Sequence, residues 1–520
     1  MQAFTQLYFL FLVPLISAAS ISFSVDSNLP QDASKVVKKD FASFGIQASS
    51  FPYYAGNRST GPNAYSNNLL TQLTQRTGVE PVLRVGGTNG DSANYDPAQA
   101  QPVTSPEGDV LANRGVPHNL TLGPSYFEGF GELQARWVYS APFDTFNNTN
   151  TITQTQAFFA NVQNKSDRVL ALELGNEPDL YLGRPIGNGM WPDVTPRTFA
   201  ARWLDYVADI VSRVSLPAGP IWQGLTLARA QGHNELTLRP IFDGINKNNY
   251  LKSVSVHYYQ DTCSTGAASQ SHLLNHSFIT AGFGGITNNI EWLNVSDPDV
   301  ALEYVLGETG RYEIDNCNQT SSDVGNFAGA LWTLDMMLYA MTVNVTRVNM
   351  QLGVNMGYAA WHPVRSARYR PNTQPIYYAH VFVADAIGTA EQTRLAHLTP
   401  NTTGSPHYQD LAPGYAIYHS GKLTRVALLN LRRYNAPDPR PEKAYTLRLP
   451  ASAKSVTLRR LESPGGAEAH NNVSFAGLQF KYVDAGLSSG TREVESKDVV
   501  NREVDIVVPD TSAALVDVHE

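Results

Sequence analysis

From about residue 40 to 376, short apolar runs alternate with longer stretches in which apolar residues recur at helical spacing. The runs predict strands over Phe41–Ala48, Pro81–Val85, Leu133–Tyr139, Val169–Leu174, Ile221–Leu227, Leu251–Tyr258, Tyr304–Leu306 and Asn355–Ala360. The clearest helical pattern is Phe199–Val214, where Trp203, Tyr206, Val207, Ile210, Val211 and Val214 share one face. Eight strands, most of them separated by helical patterns, predict an α/β chain folded as a (β/α)8 TIM barrel. After Tyr377 the texture changes to short runs broken by Pro, Gly, Ser and Asn: Tyr415–Tyr418, Leu423–Asn430, Ala444–Leu449, Ser455–Leu461, Leu478–Val483 and Val504–Val508. Repeated short strands without helices between them predict a C-terminal antiparallel β-sandwich. The boundaries follow: a catalytic barrel over 21–376 and the sandwich over 377–520, with Ile21–Asp26 free to return and pair with the sandwich.

The ends of the pattern add a compartment. Leu7–Ala18 is an apolar run followed by small residues, so 1–20 reads as a cleaved signal peptide, too short to span a bilayer. Phe327–Val343 is also apolar, but Asp335 interrupts it and it reads as a buried helix. The expected product is secreted, extracellular and free of the membrane after cleavage. Sequons at Asn57, Asn119, Asn147, Asn164, Asn275, Asn294, Asn318, Asn344, Asn401 and Asn472 fit that export route. In this context the two cysteines, Cys263 and Cys317, are expected to form one disulfide tying neighbouring loops; two unpaired buried thiols are the alternative. The net charge of −8, without a dense Lys/Arg cluster, excludes nucleic acid as a partner. The sequence carries no signal for oligomeric state.

Two acidic motifs supply the candidate chemistry. Leu172-Glu173-Leu174-Gly175-Asn176-Glu177-Pro178 and Val305-Leu306-Gly307-Glu308 each end an apolar run in Gly and then present Glu at a strand mouth, in the fourth and seventh strands. Active sites of such barrels lie at the C-terminal strand ends. A carboxyl pair there suits cleavage of a glycosidic bond: one protonates the leaving oxygen while the other attacks or stabilises the sugar cation. Glu177 is the expected acid, its pKa raised by a second carboxylate nearby, and Glu308 the expected nucleophile. Asn176 is placed to hydrogen-bond the sugar 2-hydroxyl. His257-Tyr258-Tyr259 ends the sixth strand, where a Tyr would hold the nucleophile or merely fill the core. Trp361-His362-Pro363 ends the expected eighth strand, so Trp361 would stack on a sugar or close the barrel. Arg84 ends the second strand and is expected to orient a carboxylate through paired hydrogen bonds. The glycines after Arg84 lack phosphate-loop spacing, and the 12 His show no ligand motif, so neither a cofactor nor a metal is expected.

These residues together resemble glycoside hydrolase family 79 of the clan A barrels, which includes β-glucuronidases and heparanase, and most of all its fungal members. The resemblance spans nearly the whole mature chain: Arg84-Val85-Gly86-Gly87, Leu172–Tyr181, His257-Tyr258-Tyr259, Leu273-Leu274-Asn275-His276-Ser277, Leu306-Gly307-Glu308-Thr309, Gly329–Trp332 and Trp361-His362-Pro363. It implies Glu177 as acid/base, Glu308 as nucleophile, and Asn176 and Tyr258 as sugar contacts. The family usually reads a 6-carboxylate with small residues and a Tyr in the loop after the nucleophile. Here that loop is Thr309–Cys317, with Tyr312 or Arg311 as the available contacts and Glu313 and Asp315 close by. The implied activity is a retaining β-glucuronidase-type exo-hydrolase acting on plant or fungal cell-wall glycans. A retaining enzyme for a neutral sugar and a non-catalytic carbohydrate-binding protein are the alternatives.

Overall fold

The computed structural model describes residues 21–113, 115–182, 194–247, 249–260, 271–296, 302–310, 325–402 and 408–520. Eight parallel strands close into a barrel: Ala42–Gln47, Val82–Gly86, Arg136–Ala141, Val169–Leu174, Trp222–Leu227, Leu251–Tyr259, Glu303–Gly310 and Arg347–Leu352. A helix returns the chain after each, from Ala64–Thr77 after the first to Pro375–Ile387 after the eighth. All C-terminal strand ends therefore open on one face. The fourth strand, VLALEL, is buried at every position, as expected for a parallel strand covered by helices.

The eighth strand corrects the sequence reading. Arg347–Leu352 pairs with the first strand and closes the barrel, whereas Asn355–Ala360 forms turns. The reason is physical. Arg347, Asn349 and Gln351 alternate with apolar residues and are buried, taken up by polar partners inside the barrel. A strand with a polar inward face reads as solvent-exposed, and the more apolar turn beyond it draws the assignment instead. Trp361-His362 consequently lies in the loop after the eighth strand, as a two-residue strand paired with Asn372–Thr373. The helix expected at Phe199–Val214 runs Pro196–Arg213 and starts from a capping box between Thr195 and Thr198. Its buried face holds Trp203, Tyr206, Val207 and Ile210, while Val211 is 53% exposed rather than part of that face. Phe327–Thr342 is a buried helix, as its pattern suggests. Among the described residues no helix is long and apolar enough to cross a membrane.

After the barrel the chain builds two β-sheets. A seven-stranded sheet runs in the order Thr393–Leu398, Gly414–His419, Lys422–Asn430, Ser512–His519, Ser455–Glu462 and Ser474–Phe475, with Glu495–Asp498 alongside. The second sheet contains Glu442–Arg448, Glu503–Pro509 and Asn401–Thr402, and Ile21–Ser24 joins it in parallel register with Tyr445–Arg448. Ile21, Phe23, Val426, Val456 and Ile506 fill the space between the sheets. The other face of the larger sheet, through Tyr415, Ile417, Leu429 and Leu515, joins the barrel core. That sheet is therefore buried on both faces and fastened to the barrel. The strand expected at Leu478–Val483 is instead Gln479–Phe480 followed by a turn at Tyr482–Asp484, closed by Ala485 in a left-handed conformation.

Candidate active site

The fourth strand delivers Glu177 through a tightly held turn. Gly175 has φ +81°, and a Cβ there would lie 2.4 Å from the Tyr181 hydroxyl, so only glycine fits. Glu177 itself sits at φ 52°, ψ 56°, a left-handed conformation that costs about 1–2 kcal/mol for a residue with a side chain. Surrounding bonds enforce it. The Glu177 N–H donates to the Thr226 carbonyl of the fifth strand at 2.9 Å. The Asn176 N–H donates to Asp91 Oδ2 at 3.0 Å, and the Ala228 N–H donates to Asp179 Oδ1 at 2.9 Å. Buried Asp91 also accepts from the Tyr181 hydroxyl at 2.7 Å and from the N–H groups of Phe143 and Asp144. Burial pushes its pKa up, against the pull of these donors.

The seventh strand delivers Glu308 through a register shift. Val256 pairs with Leu306 but His257 pairs with Glu308, so Gly307 is the extra residue. A Cβ on Gly307 would meet Ser255 Oγ at 2.1 Å, which places that position inside the packed barrel. Without the bulge the following side chain would alternate away from the interior; the bulge re-aims it at the mouth. Glu308 then meets three groups. Arg84 Nη1 donates to its Oε1, the Tyr259 hydroxyl donates to its Oε2 at 2.9 Å, and His257 Nδ1 is 3.8 Å from Oε2. His257 Nδ1 is also 3.1 Å from Glu177 Oε1. A carboxylate oxygen of each Glu and a ring nitrogen of His257 all lie within 4.8 Å of one another. The two acids are 9% and 6% exposed, enough to meet a ligand while largely shielded from water.

Arg84 organises this pair from beneath. With no exposure, it donates from Nε to Glu173 Oε2 at 2.7 Å and from Nη2 to Asn176 Oδ1 at 2.9 Å, besides its bond to Glu308. Glu173 also accepts from Gln223 Nε2 at 2.6 Å. Burial acts to lower the Arg84 pKa, but Glu173 and Glu308 outweigh it and raise it, so the guanidinium stays charged. Removing one partner from such a buried set typically costs about 3–5 kcal/mol. Burial likewise opposes charge on His257, yet Glu308 and Glu177 win and its pKa rises. Burial, then Glu308, holds the Tyr259 phenol well above its ordinary range, so it remains a donor.

The sequence-predicted residues divide accordingly. Glu177, Glu308, Asn176 and Arg84 converge, though Arg84 grips the carboxylates rather than reaching the surface. Tyr258 does not converge: its hydroxyl donates to Gln260 Oε1 and its ring packs edge-on to Phe283, outside the barrel wall. Tyr259 takes the expected role, because one step along a strand reverses the face. Trp361 is 1% exposed, wedged among Phe44, Tyr54 and Tyr377, with its N–H donated to Ser66; it closes the barrel and is not placed to stack on a sugar. Tyr312, Arg311 and the Cys263–Cys317 pairing lie outside the described residues. Glu173, His257 and Asp91 complete the site without having been assigned roles. Glu173 carried a signal, being a charge inside a strand otherwise wholly apolar. Asp91 carried none, since it acts across 85 positions of chain.

Among the described residues, Glu177, His257 and Glu308 are the group able to converge on a metal ion. The Arg84 guanidinium already neutralises Glu308 and would repel a divalent cation, so the donor set does not fit one.

A barrel with paired carboxylates on the fourth and seventh strand ends defines a glycoside hydrolase, and comparison with known proteins agrees. Residues 414–515 match the family 79 glycosyl hydrolase C-terminal β domain. The chain is 28% identical to a β-glucuronidase of Aspergillus niger over 530 residues, covering 96% of this chain and 94% of that one. It is 29% identical to a β-glucuronidase of Neurospora crassa over 537 residues, covering 93% and 92%. Among solved structures, a 4-O-α-L-rhamnosyl-β-D-glucuronidase from Fusarium oxysporum superposes with a TM-score of 0.75 at 22% identity, covering 95% of this chain and all of that one. A family 51 arabinofuranosidase from Xanthomonas axonopodis shares the fold at TM-score 0.65 and 14% identity, over 96% and 100%. The chain thus carries a family 79 C-terminal β domain, is similar to β-glucuronidases over nearly its whole length, and is a β-glucuronidase-like glycoside hydrolase.

Proposed function

We propose that this protein is a secreted, retaining, exo-acting β-glucuronidase that trims acidic sugars from plant or fungal cell-wall glycans. One observation carries the mechanism: carboxylate oxygens of Glu177 and Glu308 lie within 4.8 Å of each other. Retaining enzymes hold their carboxyl groups about 5–5.5 Å apart, whereas inverting ones leave about 6.5–9.5 Å for a water between them. Glu308 Oε2 or Oε1 attacks the anomeric carbon as Glu177 gives its proton to the departing glycosidic oxygen. The resulting acyl acetal is then hydrolysed by water, whose proton returns to Glu177 as its hydroxyl bonds the anomeric carbon and the Glu308 carboxylate leaves. His257, between the two acids, keeps Glu177 oriented through both steps.

Exo action is supported by the loop after the second strand. It folds as a small sheet of Asn94–Tyr95, Val103–Thr104 and Thr121–Leu122, and meets the loop after the eighth strand on the side of the mouth above the first strand. There Asn355 Nδ2 donates to the carbonyls of Val110 and Asn113, and the Ala367 N–H donates to that of Leu111. A cleft walled on that side accepts a chain end more readily than a chain middle. Glucuronate as the sugar rests on the β-glucuronidase relatives. Initial rates on matched aryl β-glycosides (glucuronide, 4-O-methylglucuronide, glucoside, galactoside, xyloside) test it. Selective glucuronide turnover is expected; faster turnover of a neutral glycoside would overturn it.

A further inference from the structure

A second charged site lies on the opposite face of the molecule. Helices Ala64–Thr77 and Pro375–Ile387 run back from the catalytic mouth, so their C-terminal ends mark the far face of the barrel. There, against the seven-stranded sheet, is a cleft of about 330 Å³ lined by Arg76, Arg425, Arg459, Arg492, Asp385 and the ring of Phe475. That volume falls within the roughly 300–1,000 Å³ typical of small-ligand pockets.

Its charges form an incomplete chain. Asp385 is shared by Arg76 and Arg459, and Asp517 by Arg459 and Arg425. Three guanidinium groups thus share two carboxylates and Arg492 stands beside them, so the four arginines exceed the two carboxylates by two positive charges in a protein whose net charge is −8. Arg425 and the Arg76 Nη1 have acceptors, in Asp517 and Ala386 and in Gln72, but two donors of the cleft do not. Arg76 Nε is 3.2 Å from Asp385 Oδ1 yet makes no hydrogen bond, and exposed Arg492 has neither hydrogen bond nor ion pair among the described residues. Neighbouring His419 reports the same field: burial, then Arg425, pushes its pKa down to about 4. Phe475, with Arg459 stacked 5.8 Å above it, gives the cleft an apolar wall.

We propose that this cleft is an anion-binding site, separate from the catalytic centre, that takes an oxyanion group: the carboxylate of a glycan uronate or an inorganic phosphate. A bound oxyanion supplies the missing acceptor, and paired guanidinium forks suit its planar or tetrahedral oxygens. The apolar wall beside the arginines would meet the face of a sugar ring. The proposal does not depend on the catalytic reading, because it involves none of the same residues.

The test follows thermal unfolding and calorimetry of the full chain, and of Glu308→Gln, with inorganic phosphate, tri-galacturonate and neutral maltotriose at matched ionic strength. A saturable rise in Tm with phosphate or tri-galacturonate, and none with maltotriose, is expected. Saturation by tri-galacturonate alone identifies a glycan uronate; saturation by both, or by phosphate alone, identifies a general oxyanion site. Arg492→Glu is expected to weaken binding about tenfold, the worth of one charge-assisted contact. Thr389→Glu, which places a carboxylate on the exposed rim of the cleft, is expected to abolish it while aryl glycoside turnover stays unchanged. No saturable response to either anion, or one that survives both substitutions, overturns the proposal.

Discussion

Replacing Tyr259 with Phe isolates one bond of the catalytic pair. The hydroxyl donates to Glu308 Oε2 at 2.9 Å, and the ring, 6.5 Å from that of Tyr358, is kept by Phe. In the covalent intermediate Glu308 is an ester and accepts only a neutral hydrogen bond, worth about 1 kcal/mol. As the ester breaks, the carboxylate regains its charge and the same bond rises to about 1.5–3 kcal/mol. The difference, roughly 0.5–2 kcal/mol, is lost at the second transition state, which slows release of the sugar about 2- to 30-fold. Stopped-flow hydrolysis of an aryl glucuronide with a good leaving group reads this directly. The expected result is a burst approaching one equivalent of phenol per site, a lowered kcat and a lowered KM, with an adduct on Glu308 in the mass spectrum. A kcat within twofold of the parent, or a loss carried by KM alone without a burst, would refute the reasoning.

Three further outcomes follow from the same geometry. Glu177→Ala should stop turnover of substrates with poor leaving groups, and azide should restore activity on activated aryl glycosides by yielding the β-glycosyl azide; an α-azide product would exclude the two-step reaction. Asp91→Ala removes the acceptor shared by Asn176, Tyr181, Phe143 and Asp144, so urea unfolding should show a loss of about 3–5 kcal/mol together with reduced kcat; an unchanged midpoint would show that the turn holds without it. Burial, with Glu177 adding its charge, pushes the Asp179 pKa up to about 6 from an ordinary 3.8. The folded state therefore binds this proton more tightly, and the penalty for ionising it is absent below pH 4, grows from pH 4 to 6 and is complete above. Asp179→Asn, which keeps the acceptor for Ala228, should raise Tm at pH 7 and leave it nearly unchanged at pH 4; the reverse ordering would contradict the assignment.

Much of this was legible in the sequence, for reasons visible in particular elements. The strand VLALEL announced itself because helices bury both its faces, and Gly175 and Gly307 marked where the chain turns or crowds before each acid. Arg347–Leu352 was hidden because its inward side chains are satisfied by partners on other strands, which a local pattern cannot display. The same limit separated Tyr258 from Tyr259. Adjacent strand residues differ only in facing, and the alternation that turns Ser253, His257 and Tyr259 into the barrel turns Tyr258 out, which shows only once their partners on other strands are known. Trp361 was ambiguous for a related reason: a large aromatic at a loop start serves a core or a ligand equally well until its neighbours are known.

Retention of configuration requires that Glu308 bond to the sugar and that Glu177 serve both steps. Proton NMR of aryl β-glucuronide hydrolysis, recorded before mutarotation, tests it most directly. The β-anomer of the free sugar should appear first, and the α-anomer should follow only by mutarotation. An α-anomer formed first would mean direct displacement by water, and would contradict the assignment of Glu308 as nucleophile.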